Sequence, residues 1–396
     1  MNYQSLFCYA WDLAEDGVSA VAQDLQDRHI NTITLATSYH AGKFLRPHGK
    51  GGKVYFPEDG TVYFHPNASR YGEIKPRENS LLNDEDILRE CCAQQHMNTT
   101  AWMVLMHNSR LGVLHPNDCV TNVFGDHYIY SLCPCSPRTR DYAIAMCRDV
   151  TDNYNVEGIT LETPGFLPYE HGYHHEFALV KQNPWLNHML GLCFCDHCSE
   201  QATSAGIDMA SLKKRIARGI HDYFQSDFDW PDDMANAFFM ADIVLDRELS
   251  EFLRWRCGRV TSLVDEIRHE VRKDATVSVI PSVARPTSGA WYEGSDLKAL
   301  AGVADFIEAC FYEPSVDRIR SDLADILRHL GSAEQLRGIL RPGYPDLQDS
   351  QNVKAAVSAL RGSGVEDISF YSYGHLRTSS LDWMADALDP GGVDVK

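Results

Sequence analysis

The stretch LGLCFCDHCSEQA, residues 190–202, places thiols at Cys193, Cys195 and Cys198 in a Cys-x-Cys-x-x-Cys spacing. Two or three thiolates can face one ion across so tight a turn, and tetrahedral zinc then needs a fourth ligand. His197 stands between two of the cysteines, and SLCPCSP (131–137) offers Cys133 or Cys135 from a proline-bounded turn. Four thiolates leave no open coordination position, so a zinc held this way is structural rather than catalytic. A redox role for Cys195 and Cys198 lacks the thioredoxin-like context that such a pair requires. Free thiols crowding one turn are the bland alternative.

Two other stretches carry acids where a strand should end. In EGITLET (157–163), Ile159 and Leu161 suit a helix-covered face, which turns Thr160 and Glu162 to the other side. In DFIEACFYE (305–313) the same alternation turns Glu308, Cys310 and Tyr312 inward, with Glu313 one residue beyond. A carboxylate in mid-strand is costly unless it is paired or used. Glu162 with Glu308 or Glu313 is therefore the candidate pair for acid/base chemistry, and a Glu308–Arg341 ion pair is the structural alternative.

These residues need a scaffold that gathers strand ends. Short apolar, β-rich runs occur at 5–11, 32–40, 100–108, 157–163, 276–282, 305–312, 336–343 and 367–374. Helical periodicity fills the gaps at 83–96, 136–154, 249–273, 315–331 and 349–364, several with Ser, Asn or Asp at the start and glycine after the end. Eight strand–helix alternations predict an α/β chain folded as one (β/α)8 TIM barrel over 1–396, with an open doubly wound sheet as the rival. Long insertions are expected after the second strand (about 42–66, a loop with a possible hairpin) and after the fourth (about 164–248). Both leave the carboxyl ends of strands, where barrel enzymes assemble their sites.

The other strand ends then supply a polar and aromatic rim: Trp11 and Asp12, Tyr39 and His40, His107 and Asn108, Tyr312, Arg341, Tyr371 and Tyr373. The loop YEHGYHHE (169–176) adds His174 and His175. Aromatic platforms beside paired acids suit a sugar and its glycosidic bond. GKGGK (49–53) lacks the phosphate-loop pattern, and no GxSxG elbow is present.

Composition narrows the partners. Fifty-five acidic against 36 basic residues give a formal charge of -19, which repels a nucleic-acid backbone unless cations cluster, and they do not. No apolar run reaches the ~18 residues of a membrane span, and the first residues lack a signal-peptide pattern. A cytoplasmic protein with reduced thiols is expected, its 12 cysteines serving as thiols and metal ligands. A homo-oligomer is left open.

The cysteine segment resembles glycoside hydrolase family 42, the barrel β-galactosidases. Members carry a YCPxSP segment, a helix, a fourth strand ending in a catalytic carboxylate, then a CxCxxC loop. Here LCPCSP and CFCDHC match over 131–200. The resemblance implies a structural zinc on Cys133, Cys193, Cys195 and Cys198 and a glycosidase barrel without an organic cofactor. The chain departs from that family at the reacting positions. Pro164 stands where the family has its strand-four glutamate, and Arg341 is where an acid is expected after strand seven. β-Galactosidase activity is therefore not implied. The function expected is hydrolysis of a small glycoside or oligosaccharide, with a metal-dependent sugar isomerase or lyase, or a non-catalytic carbohydrate-binding barrel, as alternatives.

Overall fold

A computed structural model describes residues 2–389 apart from 84, 172 and 174. Eight parallel strands form its centre: Gln4–Tyr9, Thr32–Tyr39, Asn98–Val104, Gly158–Glu162, Thr276–Ile280, Phe306–Cys310, Leu336–Leu340 and Asp367–Phe370. Each pairs with its sequence neighbours, and the eighth closes on the first. The result is the (β/α)8 barrel that the alternation predicts. β-Branched and aromatic residues favour these pleated segments, and the first two strands are buried along their whole length. At Gly338, a Cβ would come within 2.9 Å of Leu360 on the covering helix Ser350–Gly362 and 3.3 Å of Phe311, so the seventh strand needs glycine to lie this close.

The helices begin where side chains can satisfy their first free N–H groups. Asp349 accepts from the Asn352 amide at 2.8 Å, and Asp246 from Leu249 at 3.0 Å at the head of the long helix Arg247–Glu270. Helix Val316–Leu330 ends at Gly331, whose φ of 84° is the left-handed cap that glycine adopts without cost.

Alternation places Glu308 inside the barrel as expected, but the structure gives it a different role from the one expected of it. Its carboxyl is fully buried and accepts from Thr160 Oγ1 at 3.0 Å and Ser369 Oγ at 2.8 Å. It therefore plugs the interior rather than reaching the mouth. Nor does it pair with Arg341. The interior arginine is Arg337, which donates to Ser278 at 2.9 Å and Asp367 at 3.2 Å, with its guanidinium 3.9 and 3.7 Å from the Tyr3 and Phe306 ring centres.

The segment after the second strand forms a short hairpin, Phe44–Leu45 against Val54–Tyr55. Arg46, where the hairpin enters its connecting loop and 4% exposed, donates to Asp12 at 2.6 Å and Glu15 at 2.5 Å. Asp12, expected at the rim as a sugar ligand, is thus half of a buried ion pair. Trp11, 3% exposed, stacks between Tyr9 and Tyr55 at 4.3 and 4.9 Å. Arg46→Ala would strand the Asp12 carboxyl without its partner; we expect a loss of about 3–5 kcal/mol in denaturant unfolding, with Asp12→Asn/Arg46→Met costing clearly less.

After the fourth strand, helices Pro184–Leu190, Asp196–Ser204, Met209–Phe224 and Asp232–Leu245 lead into Arg247–Glu270. They share an apolar core that includes Trp185, Leu212, Ile216, Phe239 and Phe252. Among the described residues, no helix is long and apolar enough to cross a membrane.

Candidate active site

Glu162 is the last residue of the fourth strand, so its side chain emerges at the carboxyl end of the barrel. The next residue, Thr163, has φ of 49°, a strained value for a β-branched side chain. Hydrogen bonds hold the bend: the Glu162 and Thr163 carbonyls accept from Leu105 and Met106 at 3.0 and 3.1 Å. Trp102, on the third strand, donates its indole N–H to Glu162 Oε2 at 2.5 Å. Burial pushes the Glu162 carboxyl up to about 7, against the pull of that indole.

A second acid lies nearby, and strand-facing analysis missed it. Glu293 ends the 3-10 helix Thr287–Glu293, in the segment leaving the fifth strand, and is 7% exposed. Its carbonyl accepts from the Phe166 amide at 2.9 Å, and a Cβ on Gly165 would lie 2.1 Å from that oxygen. The loops after strands four and five are therefore locked together. Ser282 donates to the Glu293 carboxyl. Burial raises this group to about 8; Ser282 and Arg256 pull it down, while the charges of Glu162 and Glu170 push it up. The available signal was an acid between an aromatic pair and glycine, WYEG, in a loop at the productive end of the barrel.

Glu313 does not join them. It is 1% exposed and paired with Arg318 of the following helix, because the chain turns outward after Tyr312. Asn108 also differs from expectation: its side chain accepts from the Leu111 amide at 2.9 Å and caps helix Ser109–Leu114. Tyr373 sends its hydroxyl to Asp16, 2.9 Å away on the helix after strand one, instead of to the mouth.

The remaining rim residues do meet. Tyr9 bonds Tyr39 at 2.9 Å and Tyr371 at 2.5 Å through their hydroxyls. Arg341 lies over the Tyr312 ring at 4.5 Å and pairs with Asp346. His40 stacks on His107 with ring centres 3.7 Å apart, and His107 Nδ1 lies 3.2 Å from His171 Nε2. Burial lowers His40 to about 4 and His107 well below its ordinary value, so both imidazoles are neutral near pH 7. His175 lines an adjoining cleft, and His174 lies outside the described residues.

The cysteines of the opening motif converge. The Sγ atoms of Cys133, Cys193, Cys195 and Cys198 all lie within 4.8 Å of one another and are buried. Cys133 is 3.5, 3.6 and 3.9 Å from Cys198, Cys195 and Cys193. Four sulfurs at ~2.3 Å from a tetrahedral ion would stand ~3.8 Å apart, so the group could hold a metal ion. His197 points instead towards Asp118, 3.7 Å away. Cys135 contributes its amide to Cys133 Sγ at 3.4 Å. Among the described residues this is the one group arranged for a metal.

Neither a protein-family model nor a curated protein sequence matches the chain. Solved structures do. The glycoside hydrolase domain of PgaB (BpsB) from Bordetella bronchiseptica superposes with a TM-score of 0.62 at 12% identity, over 98% of this chain and 99% of that one. α-L-Fucosidase isoenzyme 2 from Paenibacillus thiaminolyticus and β-galactosidase from the psychrophilic Marinomonas ef1 each give 0.53, at 12% and 11% identity. This chain has the barrel fold of glycoside hydrolases. It covers 49% of the fucosidase and 59% of the galactosidase. The resemblance to family 42 still rests on the cysteine segment, since these likenesses extend to several kinds of glycoside hydrolase.

Proposed function

We propose that this chain is a glycoside hydrolase acting on a small glycoside or oligosaccharide, with Glu162 and Glu293 as its carboxylate pair. The observation that carries this reading is two glutamates at the carboxyl end of adjoining strands four and five, Glu162 half-buried on the strand end and Glu293 buried in the loop that follows, both raised towards neutrality, with the Glu162 charge adding to the rise at Glu293. Glycosidic cleavage needs one protonated and one ionised carboxyl. Glu293, the weaker acid, would give its proton to the leaving oxygen. Glu162, whose ionised form the Trp102 indole stabilises, would act as nucleophile or activate water. Arg341, Tyr371 and His107 would contact the sugar. We read the four-cysteine group as structural zinc that fastens the helical insertion beside the mouth.

Hydrolysis of a panel of aryl glycosides of both anomers, with Glu162→Gln run in parallel, tests the reading. Release by the wild-type chain alone supports it; silence from both would favour a barrel that binds carbohydrate without cleaving it. The reading also fixes a pH profile. The competent form has Glu162 ionised and Glu293 protonated, so kcat/KM should rise towards about 7, peak between about 7 and 8, and fall above about 8. An optimum near pH 5 would count against these assignments.

A further inference from the structure

Beside the mouth lies a cleft of about 320 Å³ walled by Tyr128 and Tyr130 of the strand His127–Leu132 and by Tyr169, Glu170, Tyr173 and Glu176 of the loop after the fourth strand. Its size falls in the range of small-ligand pockets. The rings form a continuous wall: Tyr128 and Tyr130 are stacked at 5.8 Å and 14°, Tyr169 lies 5.8 Å from Tyr128, and Tyr173 6.0 Å from Tyr130. Two hydroxyls are tethered, Tyr128 to the Leu190 carbonyl at 2.9 Å and Tyr130 to that of Tyr169 at 3.4 Å. Their rings are thus held in place before any ligand arrives, which removes part of the ordering cost of binding.

The wall is continuous with the candidate acid. Trp102, the donor to Glu162, is 5.3 Å from Tyr39; Tyr39 stacks on His40 at 4.3 Å, His40 on His107 at 3.7 Å, and His107 meets Tyr130 at 6.4 Å. A run of rings therefore leads from the carboxylate into the cleft. The cleft's partly exposed rings, Tyr128, Tyr169 and Tyr173, offer flat apolar faces to the C–H faces of a pyranose. Among the described residues no lysine or arginine lines the cleft, while Glu170 and Glu176 do. That charge disfavours uronate, sulfate and phosphate groups.

We propose that this cleft binds the uncharged sugar units of an oligosaccharide whose scissile bond lies at Glu162. The substrate class is then a neutral chain of several sugars rather than a monosaccharide glycoside. The placement of the scissile bond rests on the function proposed above; the binding itself does not.

The test is calorimetric binding at about pH 7.5 to the full chain carrying Glu162→Gln. The probes are cellotetraose, mannotetraose, galactotetraose, chitotetraose and tetragalacturonate, with the matching monosaccharides. At least one neutral tetrasaccharide should bind, and its monosaccharide at least about tenfold more weakly. Tyr169→Ala and Tyr173→Ala should each weaken that binding by about tenfold, and Tyr173→Phe should restore it. The Tyr173 ring is 44% exposed, so its removal leaves the core packing in place. Tetragalacturonate should bind at least about tenfold more weakly than the neutral ligand. The proposal is overturned if no neutral tetrasaccharide binds, if both alanine variants bind unchanged, or if tetragalacturonate binds equally well. Tyrosine-dependent binding by a wild-type chain that hydrolyses nothing would reject the catalytic reading and keep the cleft.

Discussion

Glu162→Gln should cut turnover of any accepted aryl glycoside by about 10³-fold or more, and the same change should make the protein more stable at pH 8 than the wild type. The catalytic loss follows from removing a group that must carry charge at the reacting centre, where a neutral amide offers neither a nucleophile nor a base. The gain in stability follows from linkage. The Glu162 carboxyl titrates near 4.5 when unfolded and at about 7 when folded. Below 4.5 both states hold the proton and nothing is lost. Between 4.5 and about 7 the unfolded chain ionises while the folded chain does not, so stability falls as pH rises, and above about 7 the full penalty persists. Glutamine removes that penalty, worth at most about 3 kcal/mol, so its advantage should be slight at pH 5 and largest at pH 8. Activity assays together with thermal melts at the two pH values check both halves. Retained activity would remove Glu162 from the chemistry, and a gain equal at both pH values would trace the stability change to packing.

With the four-cysteine group read as a structural zinc site, Cys193→Ser and Cys198→Ser should each release the metal and unfold the insertion. Serine keeps the size of the side chain but is a poor zinc ligand, and three remaining thiolates cannot close the tetrahedron. A buried cluster of thiols without its ion loses the binding energy that helps fold it, so we expect a cost above about 4 kcal/mol. The centre joins Cys133, which follows the strand His127–Leu132, to the turn that opens helix Asp196–Ser204, and Phe194 donates to the Thr121 carbonyl at 2.6 Å. Hydrogen exchange should therefore rise first in Pro184–Leu190 and Met209–Phe224 and last in the barrel strands. Elemental analysis should find one zinc per wild-type chain and none in these variants. Cys135→Ser and His197→Ala should keep the metal, because neither side chain belongs to the converging set. Zinc lost from Cys135→Ser, or one absent from the wild type, would refute the assignment.

The direction of Glu162 was legible at its strand end. The alternation in EGITLET turns Glu162 towards the mouth, where the structure has it, because a strand's two faces follow a period of two whatever surrounds it. The same rule turns Glu308 inward, but alternation gives only the face. Whether an inward acid is plug or reagent depends on its depth and on which hydroxyls reach it, and Thr160 and Ser369 come from the fourth and eighth strands. Glu313 and Tyr373 depart from the expected direction for a related reason, since each lies past its strand's end, where the period no longer sets direction and a local partner, Arg318 or Asp16, takes the side chain.

The sequence by itself determined the class of fold and the thiols that could share an ion, because hydrophobic periodicity and ligand spacing are properties of short stretches. Only the tertiary structure decided which acids are buried at the same end of the barrel. Glu293 has no strand pattern to announce it; Gly165 lets the strand-four loop lie against its backbone, and its raised proton affinity comes from burial in the folded chain, with the charges of Glu162 and Glu170 adding to it. The tyrosine cleft arises in the same way, from rings brought together by the strand at 127–132 and a loop about forty residues later. Charge, burial and ring stacking depend on distances across the fold, and those distances are set by packing.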